Sequence, residues 1–224
     1  MKRSLRENSL SIGFLAIFLA ALVGESVAGW RLYNENQVEH GAKGVAYLRY
    51  LYSSDFGSGV LENWQSEYLQ FSLYIVATVW LVQKGSSESK EPGSEGVQSD
   101  KQQRVGQYAE TDSPAWASAF GFRQTLYSNS LALLMILVFV GSWLGQSVTG
   151  WRQFNADQRD HKNPAVAYSQ YLQEPDFWNR TLQNWQSEFL AVGSMAIFAV
   201  YLRQRGSPES KPVGAPHQET GTSA

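Results

Sequence analysis

The chain has no cysteine in its 224 residues. That absence excludes disulfides, thiolate metal sites and cysteine nucleophiles together. There is no basic excess either: 18 Lys and Arg stand against 20 Asp and Glu, so the electrostatic footprint of a nucleic-acid-binding protein is missing. No GxSxG, HExxH, P-loop or Rossmann pattern occurs, and an enzyme here would have to work without those motifs. The most informative absence is of charge. No Asp, Glu, Lys or Arg falls within residues 8–24, 68–83, 124–151 or 189–202. A membrane-spanning helix needs about 20 mostly apolar residues. The stretches at 8–24 and 124–151 meet that unaided, and the other two meet it by borrowing their flanks. The mildly hydrophilic average of the chain reflects long polar segments elsewhere.

What is present is written twice. The spacing from Trp30 to Trp151, 121 residues, recurs without a gap along most of the chain. It pairs "NSL" at 8 and 129, "GWR" at 29 and 150, "VAY" at 45 and 166, "DF" at 55 and 176, and "NWQSE" at 63 and 184. It ends with "GSSESK" at 85 against "GSPESK" at 206. Such self-similarity implies a duplicated structural unit. It also bears on the N-terminus. Lys2, Arg3 and Arg6, an apolar run and "SVAG" together fit a secretory signal peptide. The matching "SVTG" lies mid-chain, where no such cleavage occurs, and this favours retention of the first segment as a helix.

The expected fold is an all-α membrane protein. Four transmembrane helices, near 9–29, 64–83, 129–150 and 185–204, form two tandem hairpin repeats of the same orientation, related by an axis along the membrane normal. Short amphipathic helices are expected in the outer loops, around Val45–Leu51 and Val166–Leu172. The domain boundaries are a first repeat at 1–84, a linker at 85–121, a second repeat at 122–205 and a tail at 206–224. Linker and tail are rich in Gly, Ser, Glu and Gln and too poor in apolar residues for a core, so both read as disordered. The "GS-ES-K" motif they share reads as a solvated helix stop, with a docking motif as the alternative. Lys2, Arg3, Arg6, Lys84, Lys90, Arg123, Arg203, Arg205 and Lys211 bias the termini towards the cytoplasm.

Small residues let helices approach closely in lipid. Gly141 and Gly145 form a GxxxG whose counterpart is Ala20 and Gly24. This stripe is expected to join the first and third spans, with self-association into a homo-oligomer as the competing use. Trp30, Trp64, Trp151 and Trp185, with Trp178, fit an interfacial belt of anchors.

Two acids stand apart. At about 1.5 Å per residue, Glu188 lies about 22 Å from Arg203 and Glu67 about 25 Å from Lys84 along their helices. Both distances are shorter than the roughly 30 Å hydrocarbon layer, which places the two glutamates just inside the outer boundary. One reading is structural, with the acids favoured by the helix dipole and met by Arg31 or Arg152. The other treats an intramembrane acid as a proton or cation site. Glu25 adds a third carboxylate, matched by Gln146 in the second repeat. His40 and His161 each follow an acid. A metal site built from them with Glu67 and Glu188 is imaginable, but nothing in the spacing requires it, and no metal or cofactor is expected.

The motifs "NWQSE" followed by Phe or Tyr, "QSVTGW", "YSNSL" and "YLRQRGSPESKPVG" resemble a family of bacterial membrane proteins known only as a domain of unknown function. The resemblance implies the bacterial cytoplasmic membrane and transfers no activity. Three function classes stay open: a membrane scaffold or assembly protein with a membrane or extracytoplasmic partner, a small transporter or ion pathway using the paired glutamates, and a membrane enzyme or metal-binding protein. The bilayer is the expected partner in all three.

Overall fold

The structure, a computed structural model, describes residues 2–221. Met1 and residues 222–224, at the ends of the expected first repeat and tail, lie outside that range. Within it every long element is helical. In order they are α1 (Lys2–Glu7), α2 (Ser9–Glu39), α3 (Tyr47–Leu51), α4 (Ser54–Trp80), α5 (Phe122–Ser128), α6 (Ser130–Asp160), α7 (Tyr168–Tyr171) and α8 (Pro175–Tyr201), with a 3-10 turn at Gly106–Tyr108. The chain divides into two compact units. One comprises Met1–Val60 with Gly145–Tyr168, the other Leu61–Leu144 with Ser169–Ala224, so each draws on both sequence halves.

In the first unit, a polar corner follows each of α2 and α6. Trp30 Nε1 donates to Val45 O at 2.8 Å. Asn34 pairs with both backbone atoms of Val45, accepting its N–H at 2.7 Å and donating to its carbonyl at 3.1 Å. Ser26 and Tyr47 share a hydroxyl bond of 2.7 Å. The same four bonds recur 121 positions later, from Trp151, Asn155 and Ser147 to Val166 and Tyr168, at 2.6 to 3.0 Å. The reason is local: an extended residue after a helix exposes an N–H and a C=O, and an Asn side chain matches both. Gly41 and Lys162 then take positive φ, 75° and 59°, just past the helix ends. Glycine suits that left-handed position and lysine does not.

The short helices expected in the loops are present as α3 and α7. Each is fastened by its last tyrosine. Tyr50 donates to Asp55 Oδ2 at 3.4 Å in the first unit, and Tyr171 to Asp176 Oδ2 at 3.0 Å in the second. Both tyrosines are buried. Gly29 is obligatory at its position, because a Cβ there would collide with the Tyr50 hydroxyl.

Residues 85–121 and 206–221, read from composition as linker and tail, hold hydrogen-bonded turns in the second unit. Ser89 Oγ accepts from Gln83 N at 2.8 Å, and Ser210 Oγ from Gln204 N at 2.9 Å. The two GS-ES-K turns touch through Ser87 Oγ to Glu209 O, 3.1 Å, and Gly85 N donates to Thr220 Oγ1 further along the tail at 2.8 Å. Lys211 is buried, its ammonium donating to the carbonyls of Pro216, His217 and Glu219. Serine hydroxyls and one enclosed ammonium satisfy this backbone without an apolar core.

Of the four expected spans, α2 and α6 are long and apolar enough to cross a membrane; α4 and α8 do not meet that standard. The polar NWQSE segments, Asn63–Glu67 and Asn184–Glu188, contribute to the difference. They leave charge-free helix only from Tyr68 to Trp80 and from Phe189 to Tyr201, about 20 Å each at ~1.5 Å per residue.

Burial runs against the rule for proteins in water. Among the described residues the buried apolar side chains are few, Tyr50, Ala117, Tyr171, Phe177, Ala199 and Val200. Buried polar residues outnumber them and include Gln65, Gln146, Asn155, Thr181 and a series of serines. Meanwhile Leu10, Phe14 and Ile17 of α2 are 74, 67 and 67% exposed, and Leu137 of α6 is 68% exposed.

Burial, and then the Asp55 carboxylate, push the Tyr50 phenol up from 10.0 to about 12. Below pH 10 both folded and unfolded chains carry the proton. Between pH 10 and about 12 the unfolded chain loses it while the folded one keeps it, so stability falls as pH rises through that window. Thermal unfolding across the window is expected to show this decline, and Tyr50→Phe to flatten it. An unchanged slope in the variant would mean that the hydroxyl is not held as described.

Candidate functional site

The second unit brings the two NWQSE segments together, Asn63–Glu67 on α4 and Asn184–Glu188 on α8. Gln65 is completely buried. Its carbonyl oxygen accepts from Trp185 Nε1 at 2.7 Å, and its amide donates to Glu62 O at 3.1 Å. Ser66, also buried, donates to Asn63 O at 2.9 Å, and its hydroxyl lies near the Glu188 carboxylate. Glu67 and Glu188 are close enough for their charges to interact. Glu188 is half-buried and Glu67 exposed.

Two turns earlier on α8 stands the cation of this interior. Arg180 NH1 donates to Glu62 Oε1 at 2.9 Å, and its Nε to Asp176 Oδ2 at 2.9 Å. Burial opposes the guanidinium charge, but the bonds to Glu62 and then Asp176 outweigh it and raise its pKa above the ordinary value. Asp176 therefore accepts from Arg180 and Tyr171 at once. Beside this network Trp143 donates to Thr181 Oγ1 at 3.3 Å, and its ring stacks on Phe139 and Phe177 at 6.0 Å. Aromatic faces around a desolvated ion pair exclude water and strengthen the pair.

The sequence candidates sort as follows. Glu67 and Glu188 are brought together. Glu25 sits in the first unit, exposed, with Oε1 at Gly59. Its counterpart Gln146 is buried, and neither side-chain amide atom has a hydrogen-bond partner. Arg31 and Arg152 are exposed, and no ion pair involves them among the described residues. His40 and His161 each turn Nδ1 to their own helix, meeting Asn36 O and Asp157 O at 2.8 Å. Among the described residues no group of three His, Asp or Glu could hold a metal ion. Trp30, Trp151 and Trp185 spend their indole N–H inside the protein, while Trp64 is 38% exposed. In the small-residue stripe, nothing lies within 4 Å of a side chain placed at Gly24 or Gly141, and Ala20 is exposed. Gly145 is half-buried, and its carbonyl accepts from Thr149 Oγ1 at 3.1 Å.

A family model described as Domain of unknown function (DUF6766) matches residues 1–222. The chain belongs to that family. Neither a curated protein nor a solved structure matches it.

The residues that organise this DUF6766 interior were not singled out from sequence. Arg180, Glu62, Gln65 and Asp176 are not among the candidates that the sequence alone marks out. A signal was there, in the positions where the halves differ. Arg180 stands opposite Gly59 and Glu62 opposite Gln183 in the 121-residue register, so each half supplies one member of an ion pair that the other lacks.

Arg180→Met should cost the DUF6766 protein about 1–3 kcal/mol, less than the ~3–5 of a fully buried pair because both partners keep some exposure. Combined with Glu62→Gln it should recover part of that loss. A double-mutant cycle in detergent solution measures the coupling, and strictly additive effects would contradict the pair's role.

Proposed function

We propose that this DUF6766 protein is a four-span integral membrane protein, built as two tandem hairpins of like orientation, that serves as a membrane scaffold for a membrane or extracytoplasmic partner. The observation that carries the membrane reading is the inverted burial: serines, Gln65 and Thr181 inside, leucines and phenylalanines of α2 and α6 outside. Lipid tolerates that arrangement and water does not. Like orientation is supported by the identical corners that follow α2 and α6. If both corners lie on one face of the membrane, the chain has to return between them, and α4 is the long helix placed to do so. The Arg180–Glu62 pair lowers the cost of carrying charge near the start of α4 and α8, since paired charges suit a low-dielectric site far better than lone ones. The Lys/Arg distribution supports cytoplasmic termini, and the family resemblance supports a bacterial cell membrane.

A scaffold is favoured over a conduit because the polar groups around the NWQSE segments satisfy one another. Gln65, Ser66, Thr181, Arg180 and Asp176 are all engaged within the protein. The second reading, an ion or proton pathway, draws on the proximity of Glu67 and Glu188. An enzyme or metal-binding role has no such observation behind it.

Reconstituted liposomes separate the two. The scaffold reading expects wild-type protein to carry no more pH-driven cation flux than protein-free vesicles. Flux that appears with wild type and vanishes in a correctly inserted Glu67→Gln, Glu188→Gln variant would replace the scaffold with the pathway.

A further inference from the structure

Residues just before α6 carry a second inversion, separate from the interior described above. Ala117 is buried, and Gly106 N donates to its carbonyl at 2.8 Å, pinning this stretch to the 3-10 turn. Its neighbours point the other way: Trp116 is 46% exposed, Phe120 76% and Phe122 79%. The pattern continues into α5. Polar Gln124 is half-buried, within reach of a side chain at Gly106, while Phe122 and Tyr127 on the same short helix are exposed. Ala117 is buried, Gln124 and Leu126 are half-buried, and the large aromatics Trp116, Phe120 and Phe122 are exposed together with Arg123 and Thr125, a cluster of exposed rings that water disfavours.

We infer that residues 116–127 lie in the headgroup layer of the bilayer as an in-plane aromatic anchor. The occupant of this face is the lipid surface, argued from continuity and charge. Asn129 alone separates α5 from α6, one of the two helices apolar enough to cross a membrane. The charge-free stretch of α6 therefore starts where the aromatics end. Arg123, exposed between Phe122 and Gln124, is the last charge before Arg152 and can extend its guanidinium to lipid phosphates. Tryptophan, tyrosine and phenylalanine beside a cation at the entry to a span are the composition that partitions to the membrane interface. This anchor rests on the membrane reading, and it recasts part of a linker read as free chain as a segment held against lipid.

The absence of cysteine makes the test clean, since any introduced thiol is unique. Nitroxides are attached to Phe120→Cys, Phe122→Cys and, separately, Tyr127→Cys in the full chain in lipid nanodiscs. Ser99→Cys serves as the aqueous reference and Leu137→Cys as the lipid reference. Collision with oxygen, which concentrates in lipid, is compared with collision with a water-soluble nickel chelate. Positions 120 and 122 are expected to give oxygen-to-nickel ratios between the two references, with position 127 intermediate as well. Ratios equal to that of position 99 would overturn the anchor. So would protection from both reagents, which would mean that protein covers the face. Should position 137 itself read as aqueous, the membrane reading fails and takes the anchor with it, whereas an aqueous 120 and 122 beside an apolar 137 fails the anchor alone.

Discussion

The structure depends on one constraint: polar side chains placed inside must find partners inside, because the outer faces of α2 and α6 offer none. Gln65 is completely enclosed, and its two amide atoms are used by Trp185 and by the Glu62 carbonyl. Arg180 is divided between Glu62 and Asp176. An unmet amide or guanidinium in such a setting costs several kcal/mol, on the order of 2–7 for an amide without a hydrogen bond. Among the described residues Gln146 is an exception, buried with neither amide atom bonded, and the Nε of Arg203 is another. Gln146 stands where the other half has Glu25, so the exchange of an acid for an amide removes a charge and leaves a polar group that the fold tolerates rather than uses.

The same logic explains why the corners are conserved between the halves bond for bond while the interior is not. A corner has one task, to satisfy an extended residue after a helix, and Trp-x3-Asn does it identically at Val45 and Val166. The interior has to join unlike partners. There the halves diverge in complementary fashion, Arg180 for Gly59 and Glu62 for Gln183. Asp55 shows this at one position: it accepts from Tyr50, as Asp176 does from Tyr171, but its other oxygen takes the amide of Gln153 at 3.0 Å, whereas Asp176 takes Arg180 on the same Oδ2 that Tyr171 uses.

Much of this was legible beforehand. Charge-free stretches located the long helices, and the 121-residue register located α3 and α7 and matched α2 to α6. The rest was hidden for physical reasons. Periodicity tells where a helix is, but not which of its polar residues faces a neighbour, so Gln65 and Arg180 passed as ordinary. Tryptophans near helix ends satisfy both an anchor and a hydrogen-bond donor by composition, and only geometry shows Trp30 and Trp151 donating to Val45 and Val166. The GxxxG spacing named a stripe of small residues, yet Gly29 beneath Tyr50 is where small size is required. Serine-rich turns at 85–90 and 206–211 close on themselves through hydroxyls, a kind of order that a count of apolar residues does not register.

The measurement that bears most directly on the account is sidedness. In a chain without native cysteine, Lys43→Cys and Asn163→Cys mark the two corners and Ser99→Cys marks the segment between the halves. Treated with a membrane-impermeant maleimide in intact spheroplasts, both corner thiols are expected to react from outside, and position 99 only after permeabilisation. Corners that react from opposite sides would contradict hairpins of like orientation, and a protein recovered folded in the soluble fraction would contradict the inverted interior altogether.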